Sequence, residues 1–208
     1  MNPRLWVGGL LAAEEGLIRG AVPKRRQEFT AGRNCARQAL RILGLPANQA
    51  KVPIGVGSHR EPIFPTGVIG SISHCNEFCA AAVARTGGAL VGIGIDVEVN
   101  RSLDLDVASL VMSPQERHIW ESSLRPRGIP VTIAFSIKEA FFKAVFLRCR
   151  RYLDFSDAWL TPALSENGGD FSITAIDPHL KACLEGLRVF GRFAADADHV
   201  YSVVTLVH

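Results

Sequence analysis

Asp96 and Glu98 stand two residues apart in a stretch, Leu90–Asn100, where apolar and small or polar residues alternate without a break. Val91, Ile93, Ile95, Val97 and Val99 fall on one face of a strand with this period, and Gly92, Gly94, Asp96, Glu98 and Asn100 on the other. Both carboxylates therefore project side by side. Mg²⁺ takes oxygen ligands of this kind and completes its shell with water and phosphate oxygens. Two carboxylates so close also repel, which favours a cation between them. By itself a D-x-E pair equally suits an ordinary polar strand face. Gly92 and Gly94 are expected to clear room beside the pair for a ligand to approach.

A second pair, Glu139 and Lys143, is four residues apart on a helix expected over residues 130–146. That spacing is also the commonest surface ion pair, but Phe135, Phe141, Phe142 and Phe146 crowd the same helix and mark it as buried, where charges need partners. Ser73 and His74 end an expected strand just before a turn. There a hydroxyl and an imidazole could meet a phosphate, or simply cap the turn. Lys24, Arg25, Arg26, Arg33, Arg37 and Arg41 crowd one early helix, which reads as a local anion site or as a solvated face.

The elements that would position these groups follow from periodicity and breakers. A helix is expected over residues 24–43, with Gly44 and Pro46 as its stop, then a Pro- and Gly-rich loop over 52–70. A meander of three strands follows near 68–73, 78–85 and 90–99. Ser113-Pro114-Gln115-Glu116 reads as a capping box opening a helix through Trp120. After the helix over 130–146, strands are expected near 152–160, 171–176, 187–194 and 200–207. Helix followed by antiparallel strands thus occurs twice, which predicts an α+β fold of two similar halves, residues 1–100 and 101–208.

Composition sets the outer bounds. With 208 residues, 48% of them apolar, the chain can bury a full core, and its net charge of +3 comes without a broad basic run, so nucleic acid is not an expected partner. No run reaches the roughly 20 apolar residues needed to span a bilayer. The short apolar stretch over residues 5–13 meets Glu14 and Glu15 with no clean cleavage site, so no secretory signal is expected. Five cysteines without paired zinc-ribbon spacing read as reduced, buried thiols of a cytoplasmic protein. His74, Cys75 and Cys79 lack a second cluster to complete a zinc site.

Five segments resemble, in order, one enzyme family. They are Arg25-Arg26-Gln27-Glu28-Phe29-Thr30-Ala31-Gly32-Arg33, Arg60-Glu61-Pro62-Ile63-Phe64-Pro65, Gly70-Ser71-Ile72-Ser73-His74-Cys75, Gly94-Ile95-Asp96-Val97-Glu98, and Phe135-Ser136-Ile137-Lys138-Glu139-Ala140-Phe141-Phe142-Lys143-Ala144. Together they resemble the 4′-phosphopantetheinyl transferases of the Sfp superfamily. The phenylalanine-led last segment resembles the branch serving enterobactin-type siderophore synthesis. The motifs span about residues 24 to 144, and the C-terminal strands carry none.

The resemblance implies a pseudodimer of two α+β halves in a single monomeric chain, with coenzyme A and Mg²⁺ in the cleft between them. It implies Asp96, Glu98 and Glu139 as metal-site carboxylates. Arg25, Arg33, Arg60, Ser73 and His74 would surround the phosphates, with Lys24 and Arg26 as alternatives to Arg25, and Lys138 and Lys143 would contact the phosphate side. The implied reaction moves the phosphopantetheine arm of coenzyme A to a serine of an apo acyl, peptidyl or aryl carrier protein. Lys143 would stabilise the leaving oxygens and Glu139 would serve as metal ligand, general base or both. Residues 112–127 are the expected carrier-docking region. A Mg²⁺-dependent nucleotide pyrophosphohydrolase and a non-catalytic coenzyme A-binding module are the alternatives.

Overall fold

The computed structural model describes residues 9–46, 48, 51–76, 78–123, 129–165 and 168–208. Helix α1 is Ala12–Leu17 and α2 is Pro23–Ile42, opened by Pro23 at a position whose N–H has no helical partner in any case. Two short paired strands, β1 (Gly55–Val56) and β2 (Pro62–Ile63), lead into the hairpin of β3 (Val68–Cys75) and β4 (Phe78–Arg85). Strand β5 is Leu90–Val99. Helices α3 (Leu105–Val111), α4 (Pro114–Ser123) and α5 (Pro130–Cys149) follow, then β6 (Ala158–Ser165), β7 (Gly168–Ala175), α6 (Pro178–Leu184), β8 (Arg188–Ala195) and β9 (His199–Val207).

The α+β class holds, and each long helix covers antiparallel strands. α2 packs on the β3–β4 hairpin around Ala36, Leu40, Ile54 and Val68. α5 packs on a five-stranded sheet of order β5-β9-β8-β7-β6, over a larger core that includes Trp120, Ile137, Phe141, Leu160, Val204 and Leu206. The expected three-strand meander is corrected. β5 hydrogen-bonds to β9, with Asp96 opposite Ser202, and so belongs to the C-terminal sheet. A division at residue 100 would cut this sheet, whereas a division near residues 86–89 leaves all three sheets whole. Alternation identifies a strand but not its partner, and the usual pairing of consecutive strands misleads here.

β3 still runs beside β5, held through side chains. Ser71 Oγ accepts from Ile95 N at 3.1 Å and Ser73 Oγ accepts from Val97 N at 3.2 Å. Two serines on alternate residues of β3 thereby join the two sheets at the carboxylate pair.

Gly92 and Gly94 serve a purpose other than the expected one. A Cβ on Gly94 would lie 1.8 Å from Ala140 O and 2.6 Å from Ala144 N, and one on Gly92 would lie 2.6 Å from Ala144 O. The space they leave is filled by the backbone of α5. The helix lies directly on the face of β5 that carries Asp96, which delivers Glu139 and Lys143 to it.

Candidate functional site

Lys143, Ser73 and Asp96 form the centre. Lys143 Nζ donates to Asp96 Oδ1 at 2.6 Å, to Ser73 Oγ at 3.3 Å and to Ile95 O at 3.3 Å, which uses all three ammonium protons. Ser73 Oγ donates to Asp96 Oδ1 at 2.9 Å while accepting from Val97 N and Lys143, so the hydroxyl is saturated too. Asp96 is 5% exposed, and its second oxygen, Oδ2, is buried with no hydrogen-bond partner. A buried carboxylate oxygen without a partner is costly and calls for a ligand that supplies positive charge.

Glu98 and Glu139 flank this oxygen electrostatically. Burial, then the Asp96 charge, pushes Glu98 up to about 7, with Glu139 adding to the rise and Lys143 opposing it. Burial raises Glu139 as well, with Asp96 contributing and Lys143 opposing. The three carboxylates do not draw their oxygens within 4.8 Å of one another, the spacing met by another cluster among the described residues. Lys143 holds the place of a cation on Asp96, and like charges with no ion between them stay apart. An unpartnered Oδ2, two crowded carboxyls and an all-oxygen donor set fit a hard divalent cation such as Mg²⁺.

This crowding predicts a pH dependence. Glu98 keeps its proton up to about 7 in the fold but releases it near its ordinary 4.5 when unfolded. Its contribution to stability is full below 4.5 and is lost as pH rises through about 7. The melting temperature of Glu98→Gln should match wild type near pH 4.5 and exceed it progressively toward pH 7 and above. Melting curves over a pH series without divalent cations check this.

Beside the centre, Arg25 NH1 lies 3.2 Å from His74 Nε2. Arginine can only donate, so Nε2 accepts and His74 is neutral there. Burial holds His74 below its ordinary value, against Glu28, and Arg25 and Lys143 push the same way as burial. A cleft of about 650 Å³ opens on the other side of Lys143, lined by Arg60, Glu139, Phe142, Lys143, Phe146 and Tyr152 among others. Arg60 is exposed there, on a backbone with φ of 68°. The His59 ring lies 5.2 Å from Phe146, tilted, and 5.4 Å from Tyr152, edge-on, so one wall of the cleft is aromatic.

A model for the 4′-phosphopantetheinyl transferase N-terminal domain matches residues 13–84, and one for the 4′-phosphopantetheinyl transferase superfamily matches residues 92–203. The chain belongs to the 4′-phosphopantetheinyl transferase superfamily. The transferase Svp of Streptomyces mobaraensis is 39% identical over 201 residues, covering 95% of this chain and 78% of that one. The transferase Npt of Nocardia iowensis is 39% identical over 158 residues, 76% of this chain and 68% of that one. Enterobactin synthase component D of Salmonella typhi is 37% identical over 127 residues, 61% of this chain and 51% of that one. The two family matches meet between residues 84 and 92, where the sheets also part.

Within this transferase fold, two residues expected to contact phosphate are turned inward. Lys138 is 1% exposed, and its Nζ donates to Val111 O at 2.8 Å, Phe155 O at 2.9 Å and Glu116 Oε2 at 3.1 Å. It faces the core on the far side of α5 from Lys143, with every proton used. Arg33 is 6% exposed, donates to Ile54 O and Gly55 O at 3.0 Å each, and lies 4.0 Å over the Phe29 ring. Burial lowers its pKa to about 10. Neighbouring Arg37 is likewise turned inward, bonding both oxygens of fully buried Glu14 at 2.7 Å. Arg33 ties α2 to β1 and the residue before it, Arg37 ties α2 to α1, and of the basic helix cluster Arg25 is the one that reaches His74.

The half-formed capping box belongs to the same story. Ser113 Oγ accepts from Glu116 N at 3.2 Å, but the Glu116 carboxylate turns inward to Lys138 and to Leu160 N at 2.8 Å. Lys138→Met should therefore destabilise the protein by about 3–5 kcal/mol, because Glu116 is left as an uncompensated buried charge. The coenzyme A KM of the folded fraction should not change. Denaturant unfolding with steady-state kinetics checks both.

Sequence reasoning missed Ser71 as a strand-joining residue and His59 as part of the cleft wall. Alternate serines on a strand otherwise apolar on that face were the available signal for Ser71; His59 had none. The expected docking region over 112–127 falls partly outside the described residues, since 124–128 are not among them. No helix among the described residues is long and apolar enough to cross a membrane.

Proposed function

We propose that this chain transfers the 4′-phosphopantetheine arm of coenzyme A to a serine hydroxyl of an apo carrier protein, with Mg²⁺, as a monomer. The observation that carries the reading is the buried, unpartnered Asp96 Oδ2 beside Glu98 and Glu139, at the junction where Lys143 spans both sheets. Asp96 and Glu98 would hold Mg²⁺, with Glu139 closing the site, and the ion would neutralise charge on the pyrophosphate. Arg25 with His74, and Arg60 across the cleft, supply the positive and hydrogen-bonding groups for coenzyme A phosphates. The His59, Phe146 and Tyr152 wall suits a planar base.

In the reaction the carrier serine oxygen forms a bond to the β-phosphorus, and the bond from that phosphorus to the bridging oxygen breaks, releasing adenosine 3′,5′-bisphosphate. Glu139, whose carboxylate burial makes a stronger proton acceptor, takes the serine proton. Lys143 exchanges Asp96 or Ser73 for the departing phosphate oxygens, where negative charge grows. Enterobactin-type relatives favour a siderophore-synthesis carrier as acceptor. Intact mass of an apo carrier after incubation with coenzyme A and Mg²⁺ tests the reading. A phosphopantetheine mass gain that needs Mg²⁺ supports it, and coenzyme A cleavage without a gain overturns it in favour of a hydrolase.

A further inference from the structure

A second cluster of metal-binding atoms lies at the far end of α5. Cys149 Sγ, a His179 ring nitrogen and Cys183 Sγ all lie within 4.8 Å of one another. Cys149 ends α5, and His179 and Cys183 are four residues apart on α6, hence on one face of that helix. In a tetrahedral zinc site with Zn–S near 2.3 Å and Zn–N near 2.0 Å, sulfurs stand about 3.8 Å apart and sulfur to nitrogen about 3.5 Å. The observed spacing of no more than 4.8 Å lies within about 1.3 Å of those values.

Burial, then the neighbouring Cys183, pushes the Cys149 thiol up to about 12, so a bound metal ion has to displace the thiol proton. Arg148 Nε donates to Cys183 O at 3.0 Å, and Arg151 pairs with Asp177 at 2.5 Å, so two guanidinium groups pin α6 against the end of α5. Their positive charge opposes that rise without outweighing burial. Cys149 is buried at 5% exposure while His179 is exposed, which leaves one side open to a water. Sulfur and imidazole donors select a borderline-soft ion, unlike the oxygen set around Asp96.

We propose that Cys149, His179 and Cys183 form a zinc-binding site, with water in the fourth position, that locks α6 onto the C-terminal end of α5. It stands ten residues from Glu139, about 15 Å along the helix, and is separate from the transfer site. Cys149 and Cys183 are free, as the sequence led one to expect, and so are available as ligands. Zinc binding converts both thiols to thiolates and releases two protons.

Cobalt titration of the full chain in reducing buffer with excess Mg²⁺ tests the site. The expected result is one equivalent of Co²⁺ bound with a thiolate-to-cobalt charge-transfer band and tetrahedral visible bands, displaced by Zn²⁺. Cys183→Ser and His179→Ala should weaken Zn²⁺ binding at least tenfold while keeping wild-type circular dichroism, and Glu98→Gln should leave it unchanged. Zn²⁺ should also raise the melting temperature of wild type but not of Cys183→Ser. Absence of the charge-transfer band, or its persistence at wild-type intensity and affinity in Cys183→Ser, overturns the site. So does thiol counting that finds Cys149 joined to Cys183 as a disulfide with no Zn²⁺ uptake after reduction.

Discussion

Asp96→Asn is expected to lower carrier modification by at least about 10³-fold while leaving the fold in place, since loss of one preorganised electrostatic group at a phosphoryl-transfer centre has effects of that order. The amide keeps the size of the carboxylate and can still accept from Ser73 Oγ, as Asp96 Oδ1 does at 2.9 Å. It cannot carry the charge that the unpartnered Oδ2 presents. It also removes the anion to which Lys143 is bonded at 2.6 Å, leaving a one-third exposed ammonium that water can still reach. Stability should therefore shift by no more than about 1 kcal/mol. Single-turnover transfer to an apo carrier, beside a thermal melt, separates the two effects. Wild-type transfer by a folded Asp96→Asn would remove the carboxylate from the mechanism, and Lys143→Met then tests whether the ammonium acts without it.

Much of this centre was legible because its residues sit on regular elements. Period two over Leu90–Val99 placed Asp96 and Glu98 on one face, and the four-residue spacing of Glu139 and Lys143 placed them on one side of α5. The meeting of the two faces was not legible, because pairing partners and packing directions are tertiary. The same limit explains Lys138 and Arg33. Both lie in motif segments, yet Lys138 points to the core side of α5 and Arg33 to the carbonyls of Ile54 and Gly55, and a motif does not say which way a long side chain turns. Short elements escaped for another reason. α1 and α6 have six and seven residues, too few for a helical period to stand out, although Asp177 caps α6 by accepting from Leu180 N at 2.7 Å. With α6 unseen, nothing could bring His179 and Cys183 to Cys149.

Gly94→Ala is expected to disturb this site more than many substitutions within it. The added methyl carbon would stand 1.8 Å from Ala140 O and 2.9 Å from Ala140 C, both backbone atoms of a twenty-residue helix, so no side-chain rotation relieves the overlap. Either β5 bends away from β9, with which Gly94 pairs opposite Val204, or α5 lifts. Overpacking of a close-packed interior typically costs about 1–3 kcal/mol, and backbone against backbone belongs at or above the upper end. Activity should fall further than stability. Glu139 stands one residue before Ala140 and Lys143 one residue before Ala144, so lifting the helix withdraws both from Asp96 and Ser73. A displacement of about 1 Å at reacting groups can cost around 10²-fold in rate. Gly88→Ala, where an added Cβ meets nothing within 4 Å, serves as the control and should change neither quantity. Denaturant midpoints and single-turnover rates on the two variants decide the matter: near-wild-type transfer by Gly94→Ala would mean that the close seat of α5 on β5 does not set the geometry of the site.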